Sequence, residues 1–237
     1  MILVKTLMLV LVAGVAWGAD FSFTIVVKTG SEPPQTRKCY LKGHRMMIDS
    51  NATITISDLD ARTAIFADKP SRTYRVVSLE PSTHHDSTSA QMDVKETGQH
   101  RIIGGFNTSQ EVLTLDISNL PGGVRVQSES EIWYSPDIPG VEDLRAYYKL
   151  KAQLSAVRPG GRSGMMGVVS GIEERMGNFG GVPLLVITRI KVTGKDAGLV
   201  QQMNSALEGT REEWSGFSNS PIPDSLFTIP AGFQKVP

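Results

Sequence analysis

From Phe21 to Trp133 the chain is a succession of short β-prone segments, each cut off by a compact polar turn. Phe21 to Lys28 carries aromatic and β-branched residues and runs into the Gly30 to Pro34 turn cluster. Thr36 to Leu41 and Arg45 to Asp49 flank Lys42-Gly43-His44 as the arms of a hairpin would. Thr53-Ile54-Thr55-Ile56 alternates strictly, and Asp58-Leu59-Asp60 breaks it ahead of Thr63 to Phe66. Thr73 to Leu79, Gln91 to Glu96, Glu111 to Ile117 and Val124 to Trp133 continue the series. Short strands joined by brief polar turns predict an antiparallel meander.

Helical periodicity starts only after that series. Val141, Leu144, Tyr147, Tyr148, Leu154 and Val157 recur at helical spacing until Pro159-Gly160-Gly161 stops them. This is an amphipathic helix of about four turns. Met165, Val168, Val169, Ile172 and Met176 repeat the spacing, and Gly177 stands where a left-handed cap would fall. Pro183 to Val192 returns to β-rich sequence, and a short helix over Leu199 to Leu207 is confined by Gly198 and Gly209. Strands first, then helices inserted before closing strands, is an α+β pattern with helices laid over one face of a curved sheet.

The first eighteen residues carry an address. Lys5 gives a positive start, Leu7 to Ala16 is an apolar run, and Ala16-Trp17-Gly18 places small residues where a signal peptidase reads them. Residues 1–18 are therefore expected to be a cleaved secretory signal, and 19–237 a single domain, exported to the periplasm or outside the cell. Lys5 and Thr6 interrupt the run, leaving it shorter than the ~20 residues that span a bilayer. Ala19 stands where a lipid-modified signal needs cysteine, so no stable membrane anchor is expected after cleavage.

Composition narrows the function classes. The 24 basic and 24 acidic residues balance, which argues against a nucleic-acid partner. With 40% hydrophobic residues the chain can bury a substantial core. Its one cysteine, Cys39, excludes a disulfide framework, a four-cysteine zinc site and a CxxC redox pair, and its strand position favours burial as a small hydrophobe.

Lys42-Gly43-His44-Arg45-Met46, then Thr53 to Asp60, then Arg72-Thr73-Tyr74, resembles the repeating hairpins of a family of uncharacterised bacterial envelope proteins. The likeness continues through Glu96-Thr97-Gly98, Ile103-Gly104-Gly105-Phe106 and Glu131 to Ser135, and ends on Ile222 to Phe233, its most specific piece. It implies the half-open barrel of the LolA and LolB lipoprotein carriers: a strongly curved antiparallel sheet with two or three helices covering its concave face. The sequence departs from that pattern at Thr108, where many relatives have cysteine, and in a longer Thr193 to Arg211 stretch.

Such a fold encloses an apolar cavity, in which an acyl chain gains about 0.8 kcal/mol per methylene. The expected function is a non-catalytic binding protein for a hydrophobic ligand such as a lipid or lipoprotein acyl chain. Met165, Val169, Met176 and Tyr147 are the expected ligand-binding residues, although apolar residues at helical spacing more often mean core. No metal or other cofactor is expected. Two other readings stand beside it: an envelope sensor or scaffold that binds another protein, and a metal-dependent hydrolase working through His84-His85-Asp86. The polar loop around those histidines, and the lack of a second ligand set, weigh against the hydrolase. Ser163 lacks a nucleophile-elbow context, and Gly177 to Gly181 reads as a loop rather than a phosphate cradle. Trp133 and Tyr134 should straddle the two sheet faces, one under the helices and the other facing out.

Overall fold

The computed structural model describes residues 20–79, 89–120, 123–156, 172–206 and 209–237. The signal segment, the His84-His85-Asp86 loop, Ser163, Met165 and Val169 lie outside the described residues.

The meander forms six strands: β1 (Phe21–Thr29), β2 (Gln35–Lys42), β3 (Arg45–Asp49), β4 (Thr53–Asp58), β5 (Thr63–Asp68) and β6 (Thr73–Ser78). Three long strands follow, β7 (Ser89–Ile103), β8 (Phe106–Leu120) and β9 (Val124–Ser135), then helix α1 (Val141–Ala156) and helix α2 (172–177). The chain closes with β10 (Val182–Thr193), α3 (Ala197–Ala206), β11 (Thr210–Ser218), a 3-10 turn at Asp224–Phe227 and the two-residue β12 (Gln234–Lys235). All twelve strands make one curved, unclosed sheet in the order β12-β6-β5-β4-β3-β2-β1-β11-β10-β9-β8-β7. The pairing is antiparallel apart from β12 on β6.

β1 shows how the sequence sets the faces. Phe21, Phe23, Ile25 and Val27 are buried, while the alternate residues are more exposed. Each such side chain contributes about 1.5–3 kcal/mol by leaving water. They meet Cys39 and Leu41 of β2, Met46 of β3 and Leu184 of β10 on the helix-covered face, where Leu144 and Tyr147 of α1 close the cluster. Phe23 stacks on Trp214 of β11 at 4.8 Å. Gly140, at φ +84°, lets the start of α1 come down onto β1, since a Cβ there would lie 2.2 Å from the Phe21 ring.

A second core lies on the opposite face. Met47, Ile54, Ile56 and Ala67 are buried there under Ile222 and Phe227 of the C-terminal segment. That segment is clipped down by Asp224, which bridges Arg45 and Lys42, and by the Lys42 ammonium donating to the Ile222 carbonyl at 2.7 Å. The β4–β5 and β5–β6 turns share a device. In each, the first aspartate accepts a backbone N–H three residues on (Ala61 to Asp58, Ser71 to Asp68, both 2.8 Å), and an arginine takes positive φ (Arg62 +53°, Arg72 +52°).

The short helix expected over Leu199 to Leu207 is α3, and the 193–211 stretch leads from it into β11, which sits centrally between β1 and β10. Asn204 of α3 pins the end of β10, accepting from the Val192 N–H at 2.9 Å and donating to its carbonyl at 3.2 Å. Trp133 and Tyr134 do point to opposite faces, yet neither faces open solvent. Trp133 is 6% exposed beneath the Arg101 guanidinium, 3.8 Å from the ring centre, and Tyr134 packs on Phe179 at 4.6 Å.

Candidate functional site

The side of α1 that faces the sheet carries Leu144, Tyr147, Tyr148, Lys151 and Leu154, related by steps of three and four. Its first turn packs tightly on β1. Further along, the helix spans β3, β4 and β5 without filling the space between, leaving a cavity of about 300 Å³. Met46 and Ile48, Thr55 and Ser57, Ala64 and Phe66, Leu59 and Leu79 form its floor. Tyr147, Tyr148, Lys151 and Leu154 form its roof, with Glu173 of α2 at the side. The space opens to solvent past the exposed Phe66, so it is an accessible hollow under the helix rather than a sealed void.

Hydroxyl groups reach the floor because of β4's register. Ile54 and Ile56 turn to the opposite face, where the C-terminal segment buries them, so Thr55 and Ser57 turn toward the helix. Ser57 hydrogen-bonds Tyr147. Burial pushes the Tyr147 phenol up to about 12, with the Ser57 bond partly offsetting it, and burial also raises Tyr148. Both phenols are therefore neutral at physiological pH. Lys151 lays its stem along the apolar roof and places its ammonium 3.2 Å from the Glu173 carboxylate, so the cavity's two charges neutralise each other. Cys39, in the neighbouring core, is pushed up to about 12 by burial, which makes it a hydrophobe rather than a nucleophile. The arrangement offers apolar surface and neutral hydroxyls, which suits binding.

A second hollow of about 310 Å³ adjoins the first, sharing Thr55 and Phe66 and running toward Thr73, Arg75 and Val236. Phe66 stands between the two, 41% exposed, with the Arg75 guanidinium 5.5 Å from its ring centre.

The expected ligand-binding residues divide as follows. Tyr147 forms part of the cavity roof; Met176, half-buried on α2, does not line this cavity; Met165 and Val169 lie outside the described residues. Sequence reasoning missed Thr55, Ser57, Ala64 and the Lys151–Glu173 pair. The signal for the pair was a lysine inside an otherwise apolar stripe. Also missed was the ion pair that holds α2 to β8, between Arg175 and the 2% exposed Glu111. Gly181, of the Gly177 to Gly181 loop, packs on backbone: a Cβ there would sit 2.2 Å from the Ser135 carbonyl oxygen.

Among the described residues no cluster of three or more His, Cys, Asp or Glu side chains could hold a metal. His44 pairs with Asp60 at 2.8 Å on an exposed turn, and His100 hydrogen-bonds Ser109 at 3.1 Å. No helix of the described residues is long and apolar enough to cross a membrane.

No family model matches the chain, and no curated protein matches it. Among solved structures it is similar to a LolA superfamily protein from Nitrosomonas europaea, at 8% identity and a TM-score of 0.28, covering 89% of this chain and 90% of that one. It is also similar to a DUF1329 family protein from Desulfovibrio piger, at 8% identity and a TM-score of 0.35, covering 90% of each chain. The open sheet described above stands on its own strand pairing.

Proposed function

We propose that this protein is an exported, non-catalytic binding protein for a hydrophobic ligand with a single long chain, held in the cavity beneath α1. The observation that carries the reading is the volume of about 300 Å³ left between α1 and strands β3 to β5, walled mainly by apolar side chains. Tyr147 with Met46, Ile48 and Leu154 would grip the chain. Each methylene that enters gains about 0.8 kcal/mol, so roughly ten buried methylenes are needed to reach the ~8 kcal/mol of micromolar binding, which calls for a long chain. Export through residues 1–18 and function as a single domain over 19–237 belong to the same proposal, supported by the charged start, apolar run and small cleavage residues.

The test is to express the full chain with its own leader in a bacterial host, purify the mature form from the envelope and extract it for lipid mass spectrometry. A near-stoichiometric amphiphile is expected. An empty protein that also fails to bind a dodecyl-chain fluorescent probe would sink the reading.

A further inference from the structure

The two edges of the sheet are treated differently. β6 is covered along part of its length by β12. β7, at the other end, has β8 on one side and, among the described residues, no strand on the other. It is 15 residues long and contains no proline. Its outer N–H and C=O groups are a template for another strand.

We propose that this edge is a homodimer interface, in which two copies of β7 pair antiparallel about a two-fold axis at Val94. The partner follows from charge and register. A two-fold axis perpendicular to the sheet keeps like faces together, so residues of the face that carries Met92 and Val94, beside Leu115 and Leu113 of β8, must oppose residues of that same face. Centring the pair on Asp93 would set Asp93 against its own copy. Centring it on Lys95 or Glu96 does the same for those residues. Centring it on Val94 sets Val94 against Val94, and Asp93 against Lys95 of the other copy, twice. Asp93 and Lys95 are both exposed, and neither has an ion-pair partner among the described residues. Met92, 41% exposed, lies on the face where the two sheets would run on into each other. The ladder between Glu96 and His100 is irregular, which limits the regular pairing to the segment around Val94 and makes the dimer a weak one.

The test uses the mature full-length chain in sedimentation velocity from micromolar to millimolar concentration. A reversible dimer is expected. Lys95→Asp should raise its dissociation constant at least tenfold, and the charge-swapped Asp93→Lys/Lys95→Asp double variant should restore it to within threefold. Register is read separately by oxidation: Val94→Cys should form a disulfide-linked dimer, whereas Gln91→Cys, about 20 Å from its copy in this register, should not. The buried Cys39 leaves the assay clean. A chain that stays monomeric at millimolar concentration overturns the proposal. So does a dimer indifferent to Lys95→Asp, or one that crosslinks equally at both positions.

Discussion

Ala64 is the side chain best placed to ask whether the space beneath α1 is real and used. It is 3% exposed, sits on β5, and forms part of the cavity floor. Ala64→Leu adds three carbon atoms there, a small fraction of the about 300 Å³ available. If they enter the cavity, burial contributes roughly 2 kcal/mol at about 0.8 kcal/mol per methylene, less the rotamer entropy of one leucine, about 0.5–1 kcal/mol. In a core without spare volume the same substitution costs about 1–3 kcal/mol through overpacking. The two cases differ in sign. Urea unfolding followed by tryptophan fluorescence should show stability raised by about 1 kcal/mol at an unchanged m value, equivalent to about 2–4 °C in Tm. Titration with a dodecyl-chain fluorescent probe should show affinity reduced at least tenfold, because the leucine occupies volume that the chain needs. Destabilisation by more than about 2 kcal/mol would refute the cavity, and unchanged probe affinity would refute its role as the binding site.

Other outcomes follow from particular contacts. Gly140→Ala should destabilise by about 3 kcal/mol or more in thermal unfolding, because it meets both the positive φ and the Phe21 ring. Arg62→Gly should stabilise by about 1 kcal/mol, measured the same way, by relieving a left-handed conformation that a β-carbon disfavours. Cys39 and Tyr147 keep their protons in the folded state up to about pH 12, whereas the unfolded chain loses them near 9 and 10. Stability should therefore be full below pH 9 and fall as pH rises toward 12, with Cys39→Ala flattening that loss in urea titrations. Arg45, then Lys42, hold the Asp224 carboxyl below its ordinary range, so the contribution of the C-terminal clip should vanish as pH falls through that depressed value. Asp224→Asn should expose the chain after Ser218 to limited proteolysis at neutral pH, where the wild type resists.

Much of the architecture was legible because period two and turn chemistry are local. β1 to β6 and α1 appear within a residue or two of where alternation, the Lys42-Gly43-His44 turn and the Val141 to Val157 stripe place them. β11 was not legible. Arg211-Glu212-Glu213 followed by Gly216 has neither β-propensity nor a clean apolar alternation, yet it is held centrally by β1 and β10. Tertiary pairing overrides propensity there: Glu213 is neutralised by Arg211 at 2.8 Å, while Trp214 supplies the stacked aromatic on Phe23. The candidate site was legible from one side only. The helical stripe pointed to Tyr147, but the floor was hidden because the Ile54/Ile56 alternation suggests that the isoleucines face the helix. They face the other way, since the C-terminal segment builds a second core that no local pattern in β4 announces. β7 runs well beyond the Gln91 to Glu96 segment that its residues suggest, passing through Thr97 and Gly98 with an irregular register.

The central claim is that a hydrocarbon chain occupies the space between α1 and strands β3 to β5. Crystals of the mature chain grown with a dodecyl ligand brominated at its terminal carbon test it directly, because bromine reports its own position by anomalous scattering. The account predicts an anomalous peak between Leu154 and Ala64, in contact with Tyr147 and Ile48, and no such peak in the Ala64→Leu variant. A peak at any other place on the sheet, or its persistence in that variant, contradicts it.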